Sequence, residues 1–226
     1  MRLLASLLLA ATALAPSAGA ETQATPAPAA TEAAAGPGDA NAGAVSQFMA
    51  AQDLFALGRA RKDPLAVLAA ARLAATIVAT DTDRLPDPAG EAVPPSHPDS
   101  GTMFTAAKAL AAEDEALVDL VARSAAEAAR LPARSLIRST RGIAAGAAQV
   151  YTLPFFGGSV AEVGLLGDGK ANLDLAVALD KKTALCLDTG PEGRALCTFA
   201  LTDNAEVTVT VTNRSDRDAS YSLLTN

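Results

Sequence analysis

The run Glu206-Val207-Thr208-Val209-Thr210-Val211-Thr212 alternates strictly between polar and apolar residues. A period of two puts every second side chain on one face of an extended chain, which a helix cannot do. Valine and threonine are also β-branched and stiff, and they fit a pleated surface better than a helix. Similar short runs recur from Ser135 onward, near Leu136–Arg141, Ala147–Pro154, Val160–Leu166, Leu173–Leu179, Ala184–Asp188, Ala195–Leu201 and Tyr221–Thr225. Turn residues separate them: Gly157-Gly158, Gly167-Asp168-Gly169, Asp180-Lys181, Gly190-Pro191-Glu192-Gly193 and Asp203-Asn204. Short strands at this spacing predict an antiparallel sandwich over residues 135–226, not a parallel sheet.

The preceding part has a different period. Val45, Phe48, Met49 and Phe55 fall near helical spacing, and the helix they predict ends around Lys62. Asp63-Pro64 then restarts the chain, since Asp caps a helix and Pro suits its first turn. A second helix is expected through Leu65, Leu68, Ala69, Leu73 and Ile77, with alanines that let another helix come close. Asp81–Thr102 holds five prolines and reads as a surface loop. A third helical region spans roughly Met103–Leu131, with Asp114 and Glu115 near a helix start, where the macrodipole favours acids. Pro132 stops it. Residues 42–132 therefore read as an alanine-rich helical hairpin or bundle, and the whole chain as α+β in two parts. Hydrophobic residues make up 50% of the chain but aromatics only 4%, so its cores pack by close backbone approach.

Met1–Ala20 has the form of a signal peptide. Arg2 gives the positive start, Leu3–Leu14 the apolar core and Ala18-Gly19-Ala20 the cleavage site. The following Glu21–Asn41 is Ala, Pro, Thr and Gly with too little apolar bulk to offset ordering, so it reads as a disordered linker. No later stretch is long and apolar enough to span a bilayer. A periplasmic or secreted protein is expected. The net charge of −7 becomes one unit more negative without Arg2. An acidic chain with no basic cluster repels phosphate backbones, which argues against nucleic-acid binding.

The C-terminal third resembles the bacterial pre-peptidase C-terminal domain, a jelly-roll-like β-sandwich of secreted proteins. The resemblance rests on Gly167-Asp168-Gly169, Leu173-Asp174-Leu175-Ala176-Val177, Cys197-Thr198-Phe199, Val209-Thr210-Val211-Thr212-Asn213 and Tyr221-Ser222-Leu223, in that order. The family's Asp-Leu-Asp-Leu-Tyr-Val strand is here Asn172-Leu173-Asp174-Leu175-Ala176-Val177, without one acid and the aromatic. The resemblance implies a jelly-roll-like sandwich, an accessory place beside a secreted peptidase, and calcium or extracellular-polymer binding in some members. No peptidase domain accompanies it here.

Cys186 and Cys197 are the only cysteines, and they flank the Gly-Pro-Glu-Gly turn. In an exported protein a disulfide is the default. A metal pair and a redox pair are the alternatives, although a redox pair is normally Cys-x-x-Cys. His97, the single histidine, lies in Pro94-Pro95-Ser96-His97-Pro98, a loop that would not hold a general base against a nucleophile. Asp168, Asn172, Asp174 and Asp180 form the one candidate calcium set, since calcium takes six to eight oxygens. Their spacing is not that of an EF-hand, and Lys170 stands among them. Tyr151 and Tyr221 sit in strands beside apolar neighbours, a setting for packing more than for sugar stacking. Asn213-Arg214-Ser215 fits a glycosylation acceptor, but Asn also commonly ends a strand. The expectation is a non-catalytic binding or structural protein with a protein partner and no cofactor. The alternative is a calcium-binding module accessory to secretion or to a secreted peptidase.

Overall fold

The computed structural model describes residues 41–180 and 183–226. The leader and all of the linker except Asn41 lie outside the described residues.

Four helices come first: α1 (Ala44–Arg61), α2 (Pro64–Ala74), α3 (Ser100–Leu110) and α4 (Glu115–Ala128). Their starts are set by single side chains. Asp63 accepts from the Leu65 and Ala66 amides, Asp99 from Thr102, and Asp114 from Ala116 and Leu117. Each satisfies orphan N–H groups of a first turn. The third helical region is thus two helices, because Asp114 begins a new one where Ala111 ends the last. Ala51, Ala70, Ala71 and Ala74 are buried with Met103, so these helices approach through alanine faces.

The strands are β1 (Ile77–Asp81), β2 (Arg134–Ile143), β3 (Ala148–Phe155), β4 (Val160–Gly167), β5 (Leu173–Ala178), β6 (Ala184–Asp188), β7 (Arg194–Ala200), β8 (Ala205–Asn213) and β9 (Ala219–Thr225). One sheet has the order β1-β2-β9-β4-β7 and the other β3-β8-β5-β6. Every pairing is antiparallel except β1 with β2. The fold is α+β, with a C-terminal sandwich. Ile77 corrects the sequence reading: it opens a strand that pairs in parallel with β2 instead of closing the second helix. The parallel pair requires a long crossover, and residues 82–133, with α3 and α4, supply it.

The main core lies between the sheets, from Tyr151, Leu153 and Val207, Val209 and Val211 on one side to Val163, Leu165, Cys197, Tyr221 and Leu223 on the other. The five-stranded sheet is buried on both faces at its centre, in β4 and β9. Its outer residues Leu136, Leu166 and Leu224 pack with Val45, Phe48 and Met49 of α1. That is why β4 reads as a near-continuous apolar run while β8 alternates. Gly164 marks the closest approach: a Cβ there would stand 2.5 Å from Val45 Cγ1 and 2.8 Å from Met49 Sδ. Glu162, two residues away and buried, reaches the N-terminus of α1. Its Oε2 accepts from the Val45 amide at 3.0 Å and the Ser46 amide at 3.3 Å. Gly43, the residue at the cap, has no side chain for that task. A sheet carboxylate therefore caps the helix that covers the sheet.

Cys186 and Cys197 are disulfide-bonded, with Cα atoms 5.7 Å apart. Their strands are not a hairpin. β6 is an edge of one sheet and β7 an edge of the other, so the Gly190–Gly193 turn is a corner and the sulfur bridge joins the sheets.

Candidate functional site

Residues 82–93, part of the expected surface loop, form a strap along the flank of the sandwich. The Thr82 amide continues the β1–β2 ladder to the Arg138 carbonyl. Asp87 and Val150 of β3 exchange both backbone hydrogen bonds, at 2.8 and 2.9 Å. The Gly142 amide of β2 then donates to Glu91. The strap crosses from one sheet to the other and back. Arg141, only 2% exposed, holds it from inside. Its Nε and Nη2 donate to the Arg84 carbonyl at 3.1 and 2.9 Å, and Nη2 also to Asp83. Ser139 Oγ donates to the same Arg84 carbonyl at 3.2 Å. A second polar chain crosses the core nearby. Tyr221 donates to Gln149 Oε1, so Tyr151 is the donor to Tyr221 at 2.8 Å. Gln149 Nε2 donates to the Gly142 carbonyl. Both tyrosines are buried core residues, and burial pushes both hydroxyls above the usual phenol range.

With its backbone clamped, Arg84 turns its side chain into a cavity of about 580 Å³ at one end of the sandwich. The walls are apolar: Leu153 and Phe155 at the end of β3, Val160 and Ala161 at the start of β4, and Ile137 of β2. Phe155 is braced edge-on by Phe199 at 5.3 Å. Phe156, in the turn between β3 and β4, is 73% exposed at the mouth. The double glycine of that turn has a steric reason. A Cβ on Gly157 would lie 2.4 Å from the Asp203 backbone, and Gly158 has φ +75°. Polar groups in the wall are mostly engaged: Asn204 Oδ1 accepts from the Gly157 amide, and the Asn226 amide nitrogen donates to the Val160 carbonyl. Arg84 Nη1 donates to Thr225 Oγ1 at 2.8 Å. A formed apolar cavity with few polar groups is the usual form of a ligand site.

A second cleft, about 650 Å³ and more open, lies between α1, the 166–172 segment and the 191–194 turn. His97 lines it. The ring is half-buried, not the solvated loop residue expected from sequence. Burial, then the charge of Arg138, lowers its pKa, against a hydrogen bond with the Gly167 backbone. Asp168 and Asn172 share this cleft, but Asp174 and Asp180 do not line it. Asp168 is engaged by the Lys170 amide and by the amide and hydroxyl of Ser220. Asp174 is buried and paired with Arg214 at 2.6 Å, so its carboxylate is already engaged. Asp180 accepts from the Thr183 amide. Among the described residues no three His, Cys, Asp or Glu side chains are grouped to hold a metal ion. Asn213 is 1% exposed and donates to the Ala144 and Arg217 carbonyls, so it ends its strand in the interior, where no glycan could be attached.

The cavity itself escaped sequence reasoning. Its wall is assembled from β2, β3, β4, β9, the strap and two turns, and no local spacing announces such a convergence.

No protein-family model matches the chain, and no curated protein matches it. Among solved structures it is similar to the pre-peptidase C-terminal domain of a Bacillus anthracis collagenase, at 13% identity and TM-score 0.30, over 38% of this chain and 88% of that one. It is also similar to PliG of Aeromonas hydrophila, a periplasmic inhibitor of g-type lysozyme, at 17% identity and TM-score 0.31, over 40% of this chain and 84% of that one. Likenesses at this level carry no argument about function.

Proposed function

We propose that this is an exported binding protein that holds a ligand or partner at the end of its sandwich and does not turn it over. The observation that carries the reading is the formed apolar cavity with Phe156 standing 73% exposed at its mouth. An aromatic ring at the rim of an apolar pocket adds rigid contact area for whatever enters it. The disulfide supports an oxidising compartment. It also engages both thiols, so neither is available as a thiolate nucleophile. His97 lines the other cleft, outside this cavity.

The test pairs a neutral polarity-sensitive dye with a broad hydrolase panel on the purified protein. The expected result is dye binding that Phe156→Asp reduces at least fivefold, with no turnover on the panel. Phe156 is exposed, so the substitution leaves the core intact. Dye binding indifferent to Phe156→Asp, or clear turnover of any panel substrate, would overturn the reading.

A further inference from the structure

We propose that the cavity at the end of the sandwich takes a single-chain anionic amphiphile of the fatty-acid type, with its carboxylate on the Arg84 guanidinium and its hydrocarbon along Leu153, Phe155, Phe156 and Val160. The inference rests on the reading that this cavity is a binding site, and it names the chemistry of the ligand.

Charge is the first argument. Arg84 is the one charged side chain among the described residues that line the cavity. Other arginines drawn into this fold each have a carboxylate: Arg138 has Asp81, Arg141 has Asp83, Arg194 has Asp53 and Arg214 has Asp174. Arg84 has none within ion-pair distance among the described residues. Its side-chain hydrogen bond goes from Nη1 to the neutral Thr225 hydroxyl. A guanidinium taken partly out of water without an anion is costly, and burial lowers its pKa. An incoming carboxylate would remove that cost through a charge-assisted, forked hydrogen bond.

Pre-organisation is the second argument. The Arg84 backbone is held by Arg141 and Ser139, so little ordering remains to be done on binding. Shape and polarity are the third. About 580 Å³ lies within the range of small-molecule sites, and Leu153, Phe155, Phe156 and Val160 give it a hydrocarbon and aromatic wall, while the wall amides of Asn204 and Asn226 are engaged with backbone groups. One guanidinium bonded to the Thr225 hydroxyl, with no second cationic side chain among the described residues of the wall, suits a monoanion better than a phosphate monoester.

The test compares decanoate with decanol, which share a chain and differ in charge, below the micelle concentration of decanoate. Binding is read by backbone amide chemical shifts, so the location is seen with the affinity. Decanoate is expected to shift Phe156, Gly157 and Val160 and to bind at least tenfold more tightly than decanol. Arg84→Gln, which keeps the backbone carbonyl that Arg141 holds, is expected to weaken decanoate at least tenfold and to leave decanol unchanged. Arg84→Lys should retain part of the preference. Equal affinity for the two ligands in the unmodified protein would overturn the proposal while leaving an apolar binding site standing; this comparison does not depend on any variant folding. Shifts around Lys170 and Arg194 in place of the cavity would also overturn it. Binding of neither ligand would overturn it together with the broader reading.

Discussion

His97 lies against Gly167 in a cleft that Asp53, Asp168, Lys170 and Arg194 also line. Burial, assisted by Arg138, favours its neutral ring in the folded protein. An unfolded chain takes up a proton there near pH 6.5, where the folded protein resists. The unfolded state then binds more protons, so stability rises with pH across this window and falls as the solution is acidified below about pH 6.5. Asp81 and Asp99 are held below the usual carboxylate value, by the Arg138 side chain and the Thr102 amide respectively, and lose their contributions only in more acid solution. We expect His97→Gln to flatten the stability profile between about pH 6.5 and pH 5, as measured by urea unfolding at several pH values. An unchanged slope would mean that the ring titrates alike in both states.

At the scale of elements, α1 depends on a residue more than a hundred positions away. Glu162→Ala removes the acceptor for the Val45 and Ser46 amides and leaves a gap under the helix start. The expected loss is about 1–2 kcal/mol, with faster hydrogen exchange confined to the first turn of α1. Loss spread evenly over the molecule would argue against a capping role. That contact was invisible in the sequence, because nothing local links Glu162 to Val45. The strands themselves were legible from Leu136 to Thr225, because turn residues punctuate short runs that either alternate, as in β8, or stay apolar, as in β4. β1 was not. Thr76-Ile77-Val78 follows the alanine-rich helix with no glycine or proline between, and apolar residues continue across the boundary. Only β-branching marked the change, and the parallel partner 57 residues on settled it. Arg84 was read as part of a loop for a similar reason. Its position is fixed by Arg141, which lies in another element.

At the scale of the whole molecule, the disulfide joins two sheets at their edges. Replacing Cys186 and Cys197 together by alanine releases the corner turn and lets β6 move from β7. In the chain-entropy view a loop with a sequence separation of 11 contributes about 2–3 kcal/mol. For a domain of this size the thermal midpoint should fall by about 5–10 °C, and reductant should no longer change it. A midpoint that barely moves would show that core packing alone fixes the corner.

A sandwich has two open sides, and each exposes rows of amides and carbonyls that can template another chain. Here the strap runs beside β2 and seizes Val150 of β3, while on the far side β6 is five residues long and tethered through sulfur to its neighbour. Both seams are thereby guarded against strand exchange between copies. An aromatic side chain, Phe156, can thus stand exposed at the end of the sandwich without a long unpaired strand edge to turn that contact into a growing fibre.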